Sequence, residues 1–190
     1  MVGRGGGNPH GDFALTLDAT DEAMGWTEMR AARNKARRWA LEALRLIRTR
    51  LPFPMRGIDS DNGGEFINEH LYSFCRDEKI TFTRSRPYRK NDTCFVEQKN
   101  WTVVRKTVGY RRYDTDRELQ LLNTLYDTLR LSINFFHPSM KLISKSRDGA
   151  KVKKLYDKPK TPFQRVVEDP GVGKLIKGGL RSKLRTLNPN

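Results

Sequence analysis

Two acids constrain this chain more than any other feature. Asp61 lies in G-I-D-S-D-N-G-G-E-F (residues 57–66) and Glu97 in Y-R-K-N-D-T-C-F-V-E-Q-K-N (residues 88–100). Between them stand 35 residues (97 − 61 − 1). An apolar lead-in followed by Asp-Asn-Gly reads as a strand ending in a tight turn. The chain from Phe95 to about Gly109 reads as a helix. One carboxylate is therefore expected at a strand end and the other on the first turn of a helix. That is one way to build a two-metal phosphoryl-transfer site, in which carboxylates hold two divalent ions about 3.5–4 Å apart. Asp59 is expected to share a strand face with Asp61 by alternation and reads as a supporting residue. Asp-Asn-Gly also opens calcium loops. Counted from Asp59, however, the twelfth position is His70, not the bidentate Glu such a loop requires.

The rest of the chain supplies the layers around those acids. Residues 1–12 are rich in Gly and read as a flexible turn. No G-K-[ST] follows them, so a phosphate-cradling loop is not supported, and G-V-G-K-L near Lys174 fails the same test. Residues 13–20 and 26–31 read as two strands joined by a turn. Asn34 is expected to cap a helix running to about Arg50. Its apolar positions, Ala36, Trp39, Ala40, Ala43, Leu44 and Ile47, recur at helical spacing. Residues 57–60 read as a short buried strand, 65–76 as a helix, 80–83 as a strand and 84–93 as a polar loop. A further helix over 115–136 carries Leu119, Leu122, Tyr126, Leu129 and Ile133 on one side. This order of elements argues for an α/β layer fold.

Charge points to the partner. The 190 residues carry a formal +15, with 37 Lys or Arg against 22 acids. Such an excess favours a polyanion, nucleic acid before an acidic membrane surface. Residues 141–190 hold 14 Lys or Arg against 4 acids, a net +10 in about a quarter of the length. With little periodicity, they are expected to form an extended, partly disordered basic arm. Two cysteines without a C-x-x-C pair, Cys75 and Cys94, and the scattered His10, His70 and His137 give neither a disulfide scaffold nor a zinc site. Cys94 reads as a packing residue. No signal peptide and no apolar run near the ~18 residues of a membrane span is visible. The expectation is a soluble, cytoplasmic, nucleoid-associated protein with no membrane partner and no small-molecule substrate.

Four motifs carry a resemblance: G-W-T-E (residues 25–28), I-D-S-D-N-G-G-E-F (residues 58–66), R-P-Y (residues 86–88) and V-E-Q-K-N (residues 96–100). Together they resemble the catalytic core of the retroviral-integrase superfamily of DDE polynucleotidyl transferases, bacterial insertion-sequence transposases above all. The match runs well over residues 2–110. It implies an RNase H-like mixed β-sheet flanked by helices. It also implies that Asp61 and Glu97 are the second and third catalytic acids, at the family's own interval. Mg²⁺ or Mn²⁺ in a two-metal site, one-step DNA strand transfer and a homo-oligomer when active follow from the same likeness. The family's first catalytic Asp falls on a strand ahead of the hairpin that begins near Gly3. It is therefore expected outside these residues, and these 190 residues alone are expected to show little strand transfer. Asp18 is the nearest replacement by sequence.

The remaining site residues follow from the same stretch. Arg86, Tyr88, Arg89 and Lys90 place an aromatic ring among cations, a mix that suits an unpaired DNA end. Lys99, Asn100 and Arg105 follow Glu97 and are expected to contact DNA, the first two by family position. Gly63 and Gly64 permit close backbone approach, and Asn62 is supporting. The expected organisation is a catalytic core over 1–112, a packing helix over 113–137 and the basic arm over 138–190. A catalytically dead, truncated DNA-binding remnant of a transposase is the alternative function.

Overall fold

The computed structural model describes residues 1–8, 10–60, 68–84 and 100–188, with the backbone alone at Asn100 and Trp101. Strands β1 (Val2–Gly3), β2 (Leu15–Thr20) and β3 (Thr27–Ala32) form an antiparallel sheet in that order. Helix α1 (Arg37–Arg50) follows, then β4 (Gly57–Ser60), α2 (Glu69–Asp77) and β5 (Thr81–Arg84). β4 and β5 pair in parallel, joined by α2 as a crossover. A π-helical segment, Asn100–Arg105, runs into the short α3 (Lys106–Val108), and α4 (Asp116–Phe136) is the longest helix. The chain closes with an antiparallel ribbon, β6 (Leu142–Asp148) and β7 (Lys151–Tyr156), and the helices α5 (Pro162–Glu168) and α6 (Lys174–Arg185).

The sheet of β1–β3 is covered on both faces. Leu17 and Ala32 pack with Ala43, Leu44 and Ile47 of α1 and with Leu71, Phe74 and Cys75 of α2. Ile58 and Phe82 join the same cluster, so the parallel ladder shares this helical layer. On the opposite face Met29 and Ala31 pack with Val103, Val104 and Val108 and with Leu122, Tyr126 and Ile133 of α4. The expected α/β layering with helices on both faces is present. Among the described residues the strands nonetheless divide into separate antiparallel and parallel ladders rather than one continuous mixed sheet. β4 is also less buried than expected: Gly57 and Asp59 are exposed, Ile58 is half-buried and only Ser60 is buried. Among the described residues, its packing is through Ile58 onto the layer of α1 and α2.

Local chemistry explains two further departures. Asn34 does not cap α1. Its Oδ1 accepts from the Ala36 amide, a turn ahead of the helix, and α1 starts at Arg37 with no side-chain cap. The Gly-rich turn is held rather than loose. Gly6, Gly7 and Gly11 take left-handed φ values of 59°, 87° and 75°. The Arg112 guanidinium donates to the carbonyls of His10 and Asp12, both at 3.1 Å.

The largest departure is at the C-terminus. Residues 142–185 are not an extended arm but a ribbon and two helices. Thr161 opens α5 with a capping box completed by Gln164, and Pro162 stands in the first turn. Phe163, Val166 and Val172 are buried against Trp26 and Phe135. Phe135 stacks on Phe163 with ring centroids 5.2 Å apart. The apolar signal was thin: α5 is about two turns long, and on α6 only Ile176, Leu180 and Leu184 recur at helical spacing. The charge count dominated it.

Candidate functional site

The parallel ladder sets the frame. Its register pairs Gly57 with Thr81 and Ser60 with Arg84, so β4 and β5 end at the same edge. In α/β sheets, sites gather outside the carboxyl ends of parallel strands. Asp61 is the residue directly after β4, and the segment holding Arg86, Tyr88, Arg89 and Lys90 leaves directly after β5. Glu97 precedes the π-helical segment by three residues. Asp61, Asn62, Gly63, Gly64, Arg86, Tyr88, Arg89, Lys90, Cys94, Glu97 and Lys99, with the Asn100 side chain, lie outside the described residues.

The described members have definite partners. Asp59 sits opposite Thr83, and its Oδ1 accepts from Thr83 Oγ1 at 2.8 Å on the exposed side of the ladder. It ties β4 to β5 one residue before the end of the ladder. Asn68 caps α2 by accepting from the Leu71 amide at 3.0 Å, which fixes where the helix starts. Arg105 lays its guanidinium over the Tyr110 ring, 4.8 Å from the centroid. Asp18 is buried on β2 opposite Met29, and Thr20 Oγ1 donates to its Oδ1 at 3.4 Å. Among the described residues no three His, Cys, Asp or Glu side chains cluster as a metal site.

Several supporting residues were not legible as such. Arg4 is 1 % exposed. It donates to the carbonyls of Gly109 at 2.7 Å and Val104 at 3.4 Å, at the C-terminal end of the helical segment that follows Glu97. A buried cation at a helix C-terminus satisfies carbonyls that have no intrahelical partner and complements the helix dipole. Tyr126 lies beside it, 2.6 Å from Thr16 Oγ1, and burial pushes its phenol pKa up. Nothing in a lone Arg between glycines announced this role.

The free edge of β3 is covered by two amides of α4. Asn134 accepts from the Thr27 N–H and donates to the Thr27 carbonyl, both at 2.8 Å. Asn123 does the same for Ala31, at 2.9 and 3.3 Å. Among the described residues no strand pairs with this edge of β3, and each amide makes the pair of bonds a strand would make. Two Asn eleven residues apart, about three helical turns, lie on one face of a helix, and that spacing was the available signal.

Glu28 of the G-W-T-E motif is fully buried. It accepts from Arg130 Nε at 2.5 Å, Arg130 Nη2 at 2.9 Å and Trp26 Nε1 at 2.9 Å. The motif thus holds α4 to β3 in this fold.

Comparison with known proteins bears on the fold. No family model matches the chain. An uncharacterized protein of Sinorhizobium fredii, y4rM, is 43% identical over 165 residues, which is 87% of this chain and 47% of that protein. The chain therefore spans about half the length of the curated relative it matches. Among solved structures, the catalytic core domain of BIV integrase superposes with a TM-score of 0.50 at 15% identity. That match covers 66% of this chain and 78% of the other. The chain has an integrase-core-like fold, and no described helix is long and apolar enough to cross a membrane.

Proposed function

We propose that this chain carries the catalytic-core part of a metal-dependent DNA strand-transfer enzyme of the transposase and integrase kind. The observation that carries the reading is the common edge of β4 and β5. The segments bearing Asp61 and the Arg86–Lys90 cations both leave from it, in a fold like that of an integrase core. Asp61 and Glu97 are the carboxylates that would hold Mg²⁺ or Mn²⁺, since hard ions prefer oxygen donors. When bound, such ions activate the attacking hydroxyl and stabilise the leaving oxygen at phosphorus. The chain's own residues position the substrate. Arg86, Arg89, Lys90 and Lys99 pair with phosphates, and Tyr88 stacks on a base at the strand end. Asp59 ties β4 to β5 on one side of Asp61 in the sequence, and Asn68 caps α2 on the other. Arg4 holds the helical segment behind Glu97.

The test needs no strand-transfer activity. Millimolar Mn²⁺ at about ten times its Kd should stabilise the protein by roughly 1.4 kcal/mol. That is a rise of about 3–5 °C in Tm for a chain of this size. Asp61→Asn with Glu97→Gln should abolish the rise. Equal shifts in both proteins would overturn the metal site. The charge would then favour a DNA-binding protein without catalysis.

A further inference from the structure

Among the described residues no layer packs on the β6–β7 ribbon. All residues of both strands are exposed, so neither face is packed on the protein. Isolated two-stranded hairpins are marginal in water. This one is held at its root instead. The Lys141 amide donates to Asp157 Oδ1 at 2.5 Å, and the Asp157 amide donates to the Lys141 carbonyl at 2.9 Å. Arg165 donates to Asp157 Oδ2 at 2.5 Å and to the Ser139 carbonyl at 2.7 Å. The Lys141 ammonium reaches the carbonyls of Glu22 and Ala23 in the β2–β3 turn. A fixed root thus presents a blade that projects into solvent and turns at Gly149, whose φ is 56°.

The two faces of the blade differ in charge. The register sets Lys145 opposite Lys154 and Arg147 opposite Val152. By strand alternation these four residues share one face with Tyr156. That face carries three cations and no acid. The other face carries Lys151 and Lys153 with Asp148, Ser144 and Ser146. Like charges directly opposite on a ladder weaken it, and a polyanion laid against the face removes the repulsion.

Dimensions select the polyanion. Two strands about 4.8 Å apart, with their side chains, make a ribbon that the ~12 Å major groove of B-DNA admits. The deep, narrow major groove of duplex RNA does not. We propose that the Lys145–Arg147–Lys154 face docks into the major groove of duplex DNA, an identification of partner that rests on the strand-transfer reading above. Lys145, Arg147 and Lys154 donate to base-edge acceptors and flanking phosphates, while Val152 and Tyr156 supply apolar contact.

The experiment is fluorescence anisotropy of the full chain on a short DNA duplex across salt concentrations. A duplex RNA of matching sequence is run in parallel. Lys145→Gln with Arg147→Gln and Lys154→Gln should lower the log–log salt slope on DNA by roughly 2–3, at about 0.9 per lost contact. The control pair Lys151→Gln with Lys153→Gln should lower it by less than about 1, by the same count. The triple substitution should leave RNA binding nearly unchanged. Arg147→Gln alone, which leaves the Lys145–Lys154 pair untouched, should still lower the DNA slope by about 0.9. An unchanged slope in the triple variant, an equal loss per charge on both faces, or an equal loss on RNA each overturns the proposal. The two readings fail separately. A metal-induced Tm rise without a ribbon effect sinks the ribbon alone. A ribbon effect without a metal-induced rise sinks strand transfer alone.

Discussion

Arg130 and Glu28 show how much of this fold hangs on single buried polar residues. Glu28 has no solvent access, and the Arg130 side chain retains 18 % exposure. Arg130→Ala would leave a buried carboxylate with only the Trp26 N–H among the donors described for it. Breaking a buried pair from one side costs about 3–5 kcal/mol. Water reaching the partly open side of Arg130 places the expected loss near the lower end, about 3 kcal/mol. Denaturant unfolding should show it as a lower midpoint at unchanged slope, and a midpoint within error of wild type would refute it. At this scale the sequence was only partly legible. G-W-T-E was visible as a motif, but its partner stands 102 residues away, and no local pattern joins the two. The apolar positions were plainer, because periodicity names a face without needing its partner. Leu122, Tyr126 and Ile133 are buried as their spacing predicts.

Among the elements, the regular ones followed their patterns to within a few residues: β2, β3, α1, β4, β5 and α4. At the C-terminus two helices were missed: α5 is short and opened by a capping box, and α6, which has no side-chain cap, shows only Ile176, Leu180 and Leu184 as its stripe. The ribbon root is where an element depends on one titration. Hydrogen bonds from Arg165 and from the Lys141 amide hold the Asp157 carboxyl well below its ordinary value, at about 2. A carboxyl with a lowered folded pKa contributes stability that is complete above its unfolded pKa, about 3.9, and is lost as pH falls towards the folded value. Asp157→Asn should therefore melt below wild type at pH 5, and the gap should close between about pH 4 and 2. Thermal melts at pH 5, 4, 3 and 2 would decide it. A gap constant across that range would mean that the root does not depend on the Asp157 charge.

At the scale of the whole molecule, the C-terminal residues are part of the core and not a detachable basic arm. Trp26 sits beside the β2–β3 turn and Phe135 at the end of α4. Both are covered by Phe163, Val166 and Val172. A chain ending at Met140 would expose Trp26 and Phe135 together, so such a deletion would confound any measurement of DNA affinity with a loss of fold. Phe163→Ala isolates the packing contribution. A buried Phe→Ala change costs about 3–5 kcal/mol through lost transfer energy and the cavity left behind. Phe163 retains 9 % exposure, which places the expected loss near 3 kcal/mol. The ribbon substitutions remove charge from an exposed blade and relieve the Lys145–Lys154 repulsion, so they should not lower Tm. Residues 1–140 should melt well below the full chain, with Phe163→Ala between the two. If residues 1–140 and the full chain melted together, α5 and α6 would contribute nothing to the core, and the charge-only reading of the C-terminus would be restored.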